Sequence, residues 1–302
     1  MTAPLTAQEG DARGVRRILC EQIDEALEAL AAKRVSDDDI HVARKSIKKA
    51  RATLRLIRDA IPVSAYRREN TALRDAARPL SAIRDAKILL DALDRLARLY
   101  GPAGKQSAPA AFRHALVRQR NEIQRKTPKA LSARRAREAL SAARRRISRS
   151  KLKSGGWPSL CPGLERVYRQ GRKAMSHSRR HPSADSLHEW RKQTKYLWHQ
   201  LQTLCPLSPG RVGEFADQAH KLADYLGDDH DFAVLREKVI AQPKAFPGPG
   251  GAGALLALIE RCQQQLRGKA FVVGRRIYAE KPAAFVARFG RYWRRWQEAL
   301  VK

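Results

Sequence analysis

Two stretches of the chain decide its fold. Residues 39–48 read DIHVARKSIK, and residues 186–195 read SLHEWRKQTK. Both contain the pattern His-x-x-Arg-Lys-x-x-Lys, and the step from His41 to His188 is an offset of 147 residues. In each copy the basic residues recur every three or four positions, which is the spacing of one face of an α-helix. The two stretches therefore predict a pair of matching helices, each with a basic face.

A second pair of related segments lies downstream. Residues 80–89 read LSAIRDAKIL, and residues 226–235 read LGDDHDFAVL, at an offset of 146 residues. Two motifs that recur in the same order at nearly the same spacing indicate a tandem duplication of a helical unit, which is too long for a solenoid repeat. A segment rich in Gly and Pro lies between the copies. We predict a first helical half over residues 1–153, a linker over 154–163 and a second helical half over 164–302.

The composition favours an all-α fold. Ala, Leu, Arg, Lys, Glu and Gln dominate the 302 residues, and all of them are good helix formers. The sequence lacks the alternation of β-branched and polar residues that is typical of strands. Hydrophobic residues make up 43% of the chain, which is enough to bury a core. Clusters of Gly and Pro divide the sequence into helical stretches of about 15–28 residues.

The first motif places an apolar stripe and a basic stripe on one helix. The apolar stripe consists of Ala43, Ile47, Ala50, Leu54, Ile57 and Ile61, and the basic stripe of His41, Arg44, Lys48, Arg51 and Arg55. The second copy has an apolar stripe of Trp190, Thr194, Leu197, Leu201 and Leu204 beside His188, Arg191 and Lys195. The first basic stripe is about 21 Å long at a rise of ~1.5 Å per residue. Exposed helix faces normally mix charges of both signs, so an all-positive stripe favours an anion-binding surface.

The net charge also points to a polyanionic partner. The chain has 61 Lys and Arg against 30 Asp and Glu, a net charge of +31, and a field of this strength attracts phosphate groups. Composition alone leaves DNA, RNA, anionic lipid and inorganic polyphosphate as alternatives. The sequence has no uncharged apolar run of membrane-spanning length, no secretory signal and no Cys-x-x-Cys pair among its four cysteines. We expect a cytoplasmic protein without a metal or cofactor.

The histidines of the two basic motifs are predicted to lie in the first turns of their helices. Ser186, with Glu189 three residues on, is predicted to be the N-cap of the second helix, and Asp39 the N-cap of the first. His41 and His188 would then lie beside free backbone N–H groups, where the helix dipole favours a phosphate. We also expect protonation of the histidines to strengthen anion binding below about pH 6.5.

Taken together, these motifs resemble the CHAD family, the conserved-histidine α-helical domain. The resemblance rests on the two His-x-x-Arg-Lys-x-x-Lys motifs and on residues 226–235, and it spans roughly residues 10–300. It implies two antiparallel helical bundles related by an internal pseudo-two-fold axis, with basic residues lining a central groove or pore. It also implies binding of inorganic polyphosphate, often at polyphosphate granules. The Glu-x-Glu-x-Lys motif of the triphosphatase domain that some members carry is absent, so the resemblance implies no phosphatase.

The predicted polyphosphate-binding residues come from these motifs and their neighbours. They are His41, Arg44, Lys45, Lys48, Arg51, Arg55, Arg84, His188, Arg191, Lys192, Lys195, His220, Lys221 and His230. Polyphosphate carries charged phosphates and no bases, so a protein that binds it needs rows of Arg and Lys rather than stacking aromatics. Arg84 stands where the second half has His230, so we expect the first half to contact the ligand differently.

Enzymatic interpretations of the same residues are incomplete. His230 and Asp231 resemble the metal-binding pair of a helical phosphohydrolase, but no Asp follows Asp231 to complete the usual ligand set. Residues 101–107 lack the Gly-x-x-x-x-Gly-Lys-Ser/Thr spacing of a phosphate-binding loop. We therefore expect a binding protein rather than an enzyme, with no catalytic residue and no metal site.

The principal alternative is a helical protein that binds nucleic acid, or a scaffold that joins polyphosphate granules to DNA. Peripheral arginine clusters at residues 134–137 and 144–146 could engage DNA while the central groove holds polyphosphate. Only 6% of the residues are aromatic, which disfavours single-strand binding by base stacking. No zinc-finger or homeodomain pattern is present.

Overall fold

The computed structural model describes residues 4–9, 12–106, 110–126, 128–152, 155–246 and 252–299, except for the side chains of residues 7, 82–87, 102–106 and 124. This part of the chain contains eleven α-helices and no strand, which confirms the all-α prediction. The helices are α1 Ala12–Ala29, α2 Asp37–Leu56, α3 Val63–Ala77, α4 Ser81–Gln106, α5 Ala110–Lys126, α6 Lys129–Ser148, α7 Cys161–Arg180, α8 Ala184–Leu204, α9 Pro209–Ile240, α10 Gly253–Ile277 and α11 Pro282–Glu298.

The helices that carry the basic motifs, α2 and α8, begin three residues earlier than expected. Ser36 and Ser183 are the N-caps, and each forms a capping box with the residue three positions on, Asp39 or Ser186. The prediction that Asp39 and Ser186 are the caps was therefore wrong. In a capping box the third helical residue bonds back to the cap, so either of the two polar residues can be mistaken for the cap in a sequence.

The residues of the two predicted apolar stripes are buried, although Ile57 and Ile61 lie beyond the end of α2 and not on the same helix as predicted. Every residue of the two stripes is at most 6% exposed, and Trp190 is fully enclosed. The α2 helix packs against α1 and α8, and α8 packs in addition against α7 and α9. Full burial of a large apolar side chain contributes about 1.5–3 kcal/mol, so packing holds these helices in place and fixes the direction of their basic faces.

The break between α3 and α4 was not predicted from the sequence pattern. The chain turns at Arg78-Pro79-Leu80, whereas α9 runs unbroken through the corresponding part of the second half. Pro79 has no backbone N–H to continue a helix. The predicted break at Gly101 is a kink inside α4, where a φ of 54° favours glycine.

The two sequence copies meet where α7 approaches the end of α2. A Cβ at Gly163 would lie 2.2 Å from the carbonyl oxygen of Leu56, so only glycine permits this approach. On the neighbouring helix α8, the side-chain amide of Gln200 donates to the carbonyl of Ala52 on α2, at 3.2 Å. These contacts hold α2 against both α7 and α8.

Two hydrophobic cores stabilise the fold, and each draws on both predicted halves. The larger core involves α1, α2, α3, α6, α7, α8 and α11 with parts of α9 and α10. The smaller core joins α4 and α5 to the C-terminal part of α9 and the N-terminal part of α10, with Phe112 and Phe246 at a ring distance of 4.8 Å. The internal pseudo-two-fold relation and the boundaries of the halves and the linker stay predictions.

Candidate polyanion-binding site

The polar faces of α2, α4, α8 and α9 surround one cavity. Its volume is about 830 Å³, and it lies between the α2–α8 pair and the α4–α9 pair. The described residues that line it include seven Arg and Lys side chains, Arg44, Lys45, Lys48, Lys49, Arg95, Arg191 and Lys195. Five of these seven were predicted, and they come from both copies of the basic motif. We call this space the central cavity.

A second, smaller cavity continues the basic face of α2. It has a volume of about 460 Å³ and is lined by five cationic side chains, Arg44, Lys48, Arg51, Arg74 and Arg78. Asp75 also lines it and forms an ion pair of 2.9 Å with Arg74. Since Arg44 and Lys48 line both cavities, the positive surface of α2 extends from one into the other. We call this second space the side cavity.

Burial changes the charge chemistry of α8. It lowers the pKa of Arg191, and it lowers the pKa of Lys195 to about 8, with the nearby Arg191 charge acting in the same direction. Among the described residues, Arg191 Nε is buried and has no hydrogen-bond partner. A Cβ at Gly227 would lie 3.5 Å from this Nε, so the guanidinium group lies against the backbone of α9. A cation held away from water in this way gains stability when an anion binds beside it.

Arg51, which lines the side cavity, is a second buried arginine of this kind. Burial lowers its pKa, and its Nε is buried without a hydrogen-bond partner in the part of the chain that the structure describes. Arg55, one turn further on, is not in either cavity. Its guanidinium group lies 4.0 Å from the ring centre of Tyr196 and donates to Asn70 at 2.9 Å. The end of the predicted basic stripe therefore has a structural role.

One wall of the central cavity is acidic, which the sequence reasoning missed. Asp217, Asp224, Asp228 and Asp231 line the cavity from α9. At 3.6 residues per turn they fall within about 60° of one another and form a row about 21 Å long. Asp228 forms an ion pair with Arg95 of α4. Burial raises the pKa values of Asp228 and Asp231, and nearby arginines oppose this effect. The spacing of these four aspartates by seven, four and three residues could have shown from the sequence that they share one helix face.

Two of the predicted histidines, His188 and His230, lie beside each other and within reach of the charge of Arg191. The rings of His188 and His230 are 4.6 Å apart, and neither lines the two cavities. Burial lowers the pKa of His188 and lowers that of His230 to about 4, and the charge of Arg191 adds to both shifts. These shifts oppose protonation of both rings in the free protein, and the strengthening of binding below about pH 6.5 stays a prediction.

The predicted first-turn position of the motif histidines was also wrong. His41 and His188 are the fifth residues after their N-caps, in the second helical turn. The free N–H groups of a helix belong to its first turn, so these side chains do not lie beside them. His41 lines the central cavity from α2, and His220 lines it from α9.

Two other predicted residues, Lys192 and Lys221, are not among the residues that line the cavities. Lys192 forms an ion pair with Glu189 one turn earlier on α8. Lys221 is exposed on α9 and lines neither cavity. The side chain of Arg84 lies outside the described residues.

The peripheral arginine clusters have divided roles. Arg144 donates to Asp24 at 3.0 Å, and Arg146 forms two bonds of 2.8 Å with the buried Glu69. These two arginines thus stabilise the fold. A shallow hollow on α6 is lined by Arg134, Arg137, Glu138, Ser141 and Arg145.

The fold and the cavities define an all-helical protein with converging basic helix faces. The chain belongs to the CHAD-domain family, whose profile matches residues 17–239, and polyphosphate binding is a known property of this family. No curated protein matches the sequence. None of the described helices is long and apolar enough to cross a membrane.

Two solved structures share the fold. PptA from Streptomyces chartreusis has a TM-score of 0.58 and 15% sequence identity, over 89% of this chain and 98% of that chain. The CHAD domain from the plant Ricinus communis has a TM-score of 0.56 and 13% identity, over 96% of this chain and 93% of that chain. At these identities the likeness shows the fold alone.

Proposed function

We propose that this protein binds inorganic polyphosphate in the central cavity and along the basic face of α2 into the side cavity. The observation that carries the proposal is the convergence of the basic faces of α2 and α8 on one space, with the Nε atoms of Arg51 and Arg191 buried and without hydrogen-bond partners among the described residues. The family membership supports the same ligand.

The chemistry of the lining fits a flexible chain of phosphates. Arginine offers paired N–H donors to phosphate oxygens, and lysine offers a compact positive charge. A thin chain can lie in the central cavity, between the α2–α8 pair and the α4–α9 pair, and supply hydrogen-bond acceptors to the buried cations. Binding of this kind releases counterions, so its affinity falls steeply as the salt concentration rises.

We propose a binding role and not a catalytic one. In this structure, His230 packs on His188, while Asp231 lies near Arg191 and lowers the cost of its charge. The described residues contain no group of three or more His, Cys, Asp or Glu side chains arranged to hold a metal ion. The pair that resembled a phosphohydrolase motif thus has a structural explanation.

Association with polyphosphate granules follows from the proposed ligand. A granule presents the polymer at high local density, so a protein that binds the chain accumulates there by mass action. The test is the distribution of a fluorescently tagged protein in cells that make polyphosphate and in cells that cannot. An unchanged distribution in the two cell types would contradict granule association.

The binding site is tested by two matched variants that each remove two positive charges. Arg191→Gln with Lys195→Gln changes the central cavity, and Arg134→Gln with Arg137→Gln changes the hollow on α6. We expect the first variant to make the slope of log affinity against log salt shallower by about 0.7 per lost contact. The second variant should change it far less. An equal change of slope in the two variants would mean that the overall positive charge of the protein, and not the central cavity, attracts polyphosphate.

Nucleic acid is tested as the competing ligand in the same assay. Duplex DNA is added to the complex with long-chain polyphosphate at equal phosphate concentration. A duplex is too wide to enter a cavity of about 830 Å³, so we expect it to displace little polyphosphate. Complete displacement by DNA would favour a nucleic-acid-binding protein instead.

A further inference from the structure

One end of the central cavity has a chemistry that bare polyphosphate does not require. Trp198 of α8 and His220 of α9 both line the cavity, and their rings stack at 3.9 Å with an angle of 8°. One face of the His220 ring is covered by Trp198, yet 46% of its side chain is exposed. A flat, partly open aromatic surface therefore lies in the wall of a cavity that is otherwise lined mainly by charges.

Polar groups that suit a nucleoside surround this stack. Gln202 lies one turn after Trp198, and its Oε1 atom forms a hydrogen bond of 3.0 Å with His199 Nδ1. This bond uses the oxygen of the amide and does not involve its N–H groups. Asp217 precedes His220 by three residues on α9 and is exposed in the same cavity. An amide side chain can pair with the edge of a base, and a carboxylate can accept from ribose hydroxyls. We call Trp198, Gln202, Asp217 and His220 the aromatic end of the cavity.

Positive charge from α2 lines the same cavity as the aromatic end. Lys45 and Lys49 of α2 line the same space, and Lys49 is also 3.5 Å from Glu25. A ligand with a planar group at one end and several phosphates at the other would match this arrangement. The cavity volume of about 830 Å³ lies within the range of ordinary small-molecule pockets.

We propose that the aromatic end binds the nucleoside of a nucleoside 5′-oligophosphate, with its phosphates on the lysines and Arg44 of α2. The base stacks on the open face of His220, which Trp198 supports from behind. This inference rests on the proposed function, because the phosphates of the nucleotide use the cations assigned to polyphosphate. It adds a class of ligand that contains a planar base, which linear polyphosphate lacks.

The first test compares ATP with tripolyphosphate, without divalent cations and at equal ionic strength. Each ligand has three phosphates, and tripolyphosphate has two free ends, so its negative charge is at least as large. Charge attraction alone therefore predicts that tripolyphosphate binds as tightly as ATP or more tightly. We expect ATP to bind about tenfold more tightly, which is the size of a typical base–aromatic stack. Equal binding, or a preference for tripolyphosphate, would overturn the inference.

The second test locates the base. The ratio of the two affinities is measured in His220→Ala and in the matched control His177→Ala, an exposed histidine on α7. We expect the preference for ATP to disappear in His220→Ala and to persist in His177→Ala. Because the ratio cancels phosphate contacts, a general loss of charge does not change it. An unchanged preference in His220→Ala would show that the base lies elsewhere.

The outcomes separate this inference from the proposed function. Tight binding of long-chain polyphosphate without any preference for ATP refutes the nucleoside site and leaves the polyphosphate proposal standing. Failure to bind long-chain polyphosphate refutes the proposed function. A preference for ATP that survives such a failure would make the nucleotide the principal ligand of the cavity.

Discussion

Lys195 should make polyphosphate binding depend on pH in the alkaline range. Its pKa in the free protein is about 8, well below the ordinary value for lysine, because burial and the charge of Arg191 oppose its protonation. A bound phosphate favours the charged form and raises this pKa. The complex then holds a proton that the free protein loses above pH 8, so binding weakens as the pH rises.

The magnitude follows from this difference in proton binding. If bound phosphate keeps the pKa of Lys195 at about 10 or higher, the affinity falls about tenfold between pH 7 and pH 9. The groups that face Lys195 are Arg191 on its own helix, Asp224, Asp228 and Asp231 on α9, and the basic residues of α2 and α4 that line the cavity. Lys195→Arg leaves all of these groups in place, so the comparison of the two pH profiles assigns the change to Lys195.

The assay is fluorescence anisotropy with end-labelled polyphosphate at constant ionic strength. Lys195→Arg keeps the positive charge throughout this range and should give a flat profile between pH 7 and pH 9. A wild-type profile that is flat would refute the reasoning. An equal slope in Lys195→Arg would show that another group is responsible.

Three further changes have definite expected results. The double change Asp224→Asn with Asp231→Asn should tighten polyphosphate binding roughly tenfold, as measured by titration at fixed salt. Each removed negative charge takes away a repulsion of up to about 1 kcal/mol from the bound phosphates. Arg146→Gln should lower the free energy of unfolding in urea by about 2 kcal/mol, because Glu69 is 2% exposed and loses its two-bond partner. Gly163→Ala should lower the melting temperature, because the new methyl group would lie 2.2 Å from a carbonyl oxygen of α2 and force overpacking that costs about 1–3 kcal/mol or more.

These changes have simple controls. Arg145→Gln removes an exposed charge next to Arg146, and it should leave unfolding nearly unchanged. Weaker binding in the Asp224 and Asp231 variant would contradict the view that these carboxylates compete with the ligand for the cavity cations. A melting temperature unaffected by Gly163→Ala would mean that α7 can move away from α2.

The sequence was sufficient for the parts of the site that follow helical periodicity. The apolar stripes of α2 and α8 are buried, and Arg44, Lys48, Arg191 and Lys195 line one cavity. Periodicity assigns each residue to a face of its own helix, and it placed these residues correctly, whereas Arg55 and Lys192 make contacts outside the cavities. The helix starts were placed three residues late because both ends of a capping box are polar.

The remaining features depend on neighbours that a single helix pattern does not specify. The burial of Arg191 depends on the backbone of α9 at Gly227, which belongs to a different motif. The low pKa of His230 follows from the burial of its own ring and from the charge of Arg191. The acidic row was visible as spacing along α9, but its position opposite the basic faces depends on how α9 packs against α8.

The smaller hydrophobic core has a consequence for synthesis of the chain. Leu93 and Phe112 leave the ribosome long before Phe232 and Leu255, which complete their burial. At about 5–20 residues per second, the delay is on the order of ten seconds. During that interval the nascent α4–α5 pair presents an uncovered apolar face, which is prone to aggregate. A chaperone that shields nascent chains should therefore increase the yield of this protein, and truncation before α9 should make it insoluble.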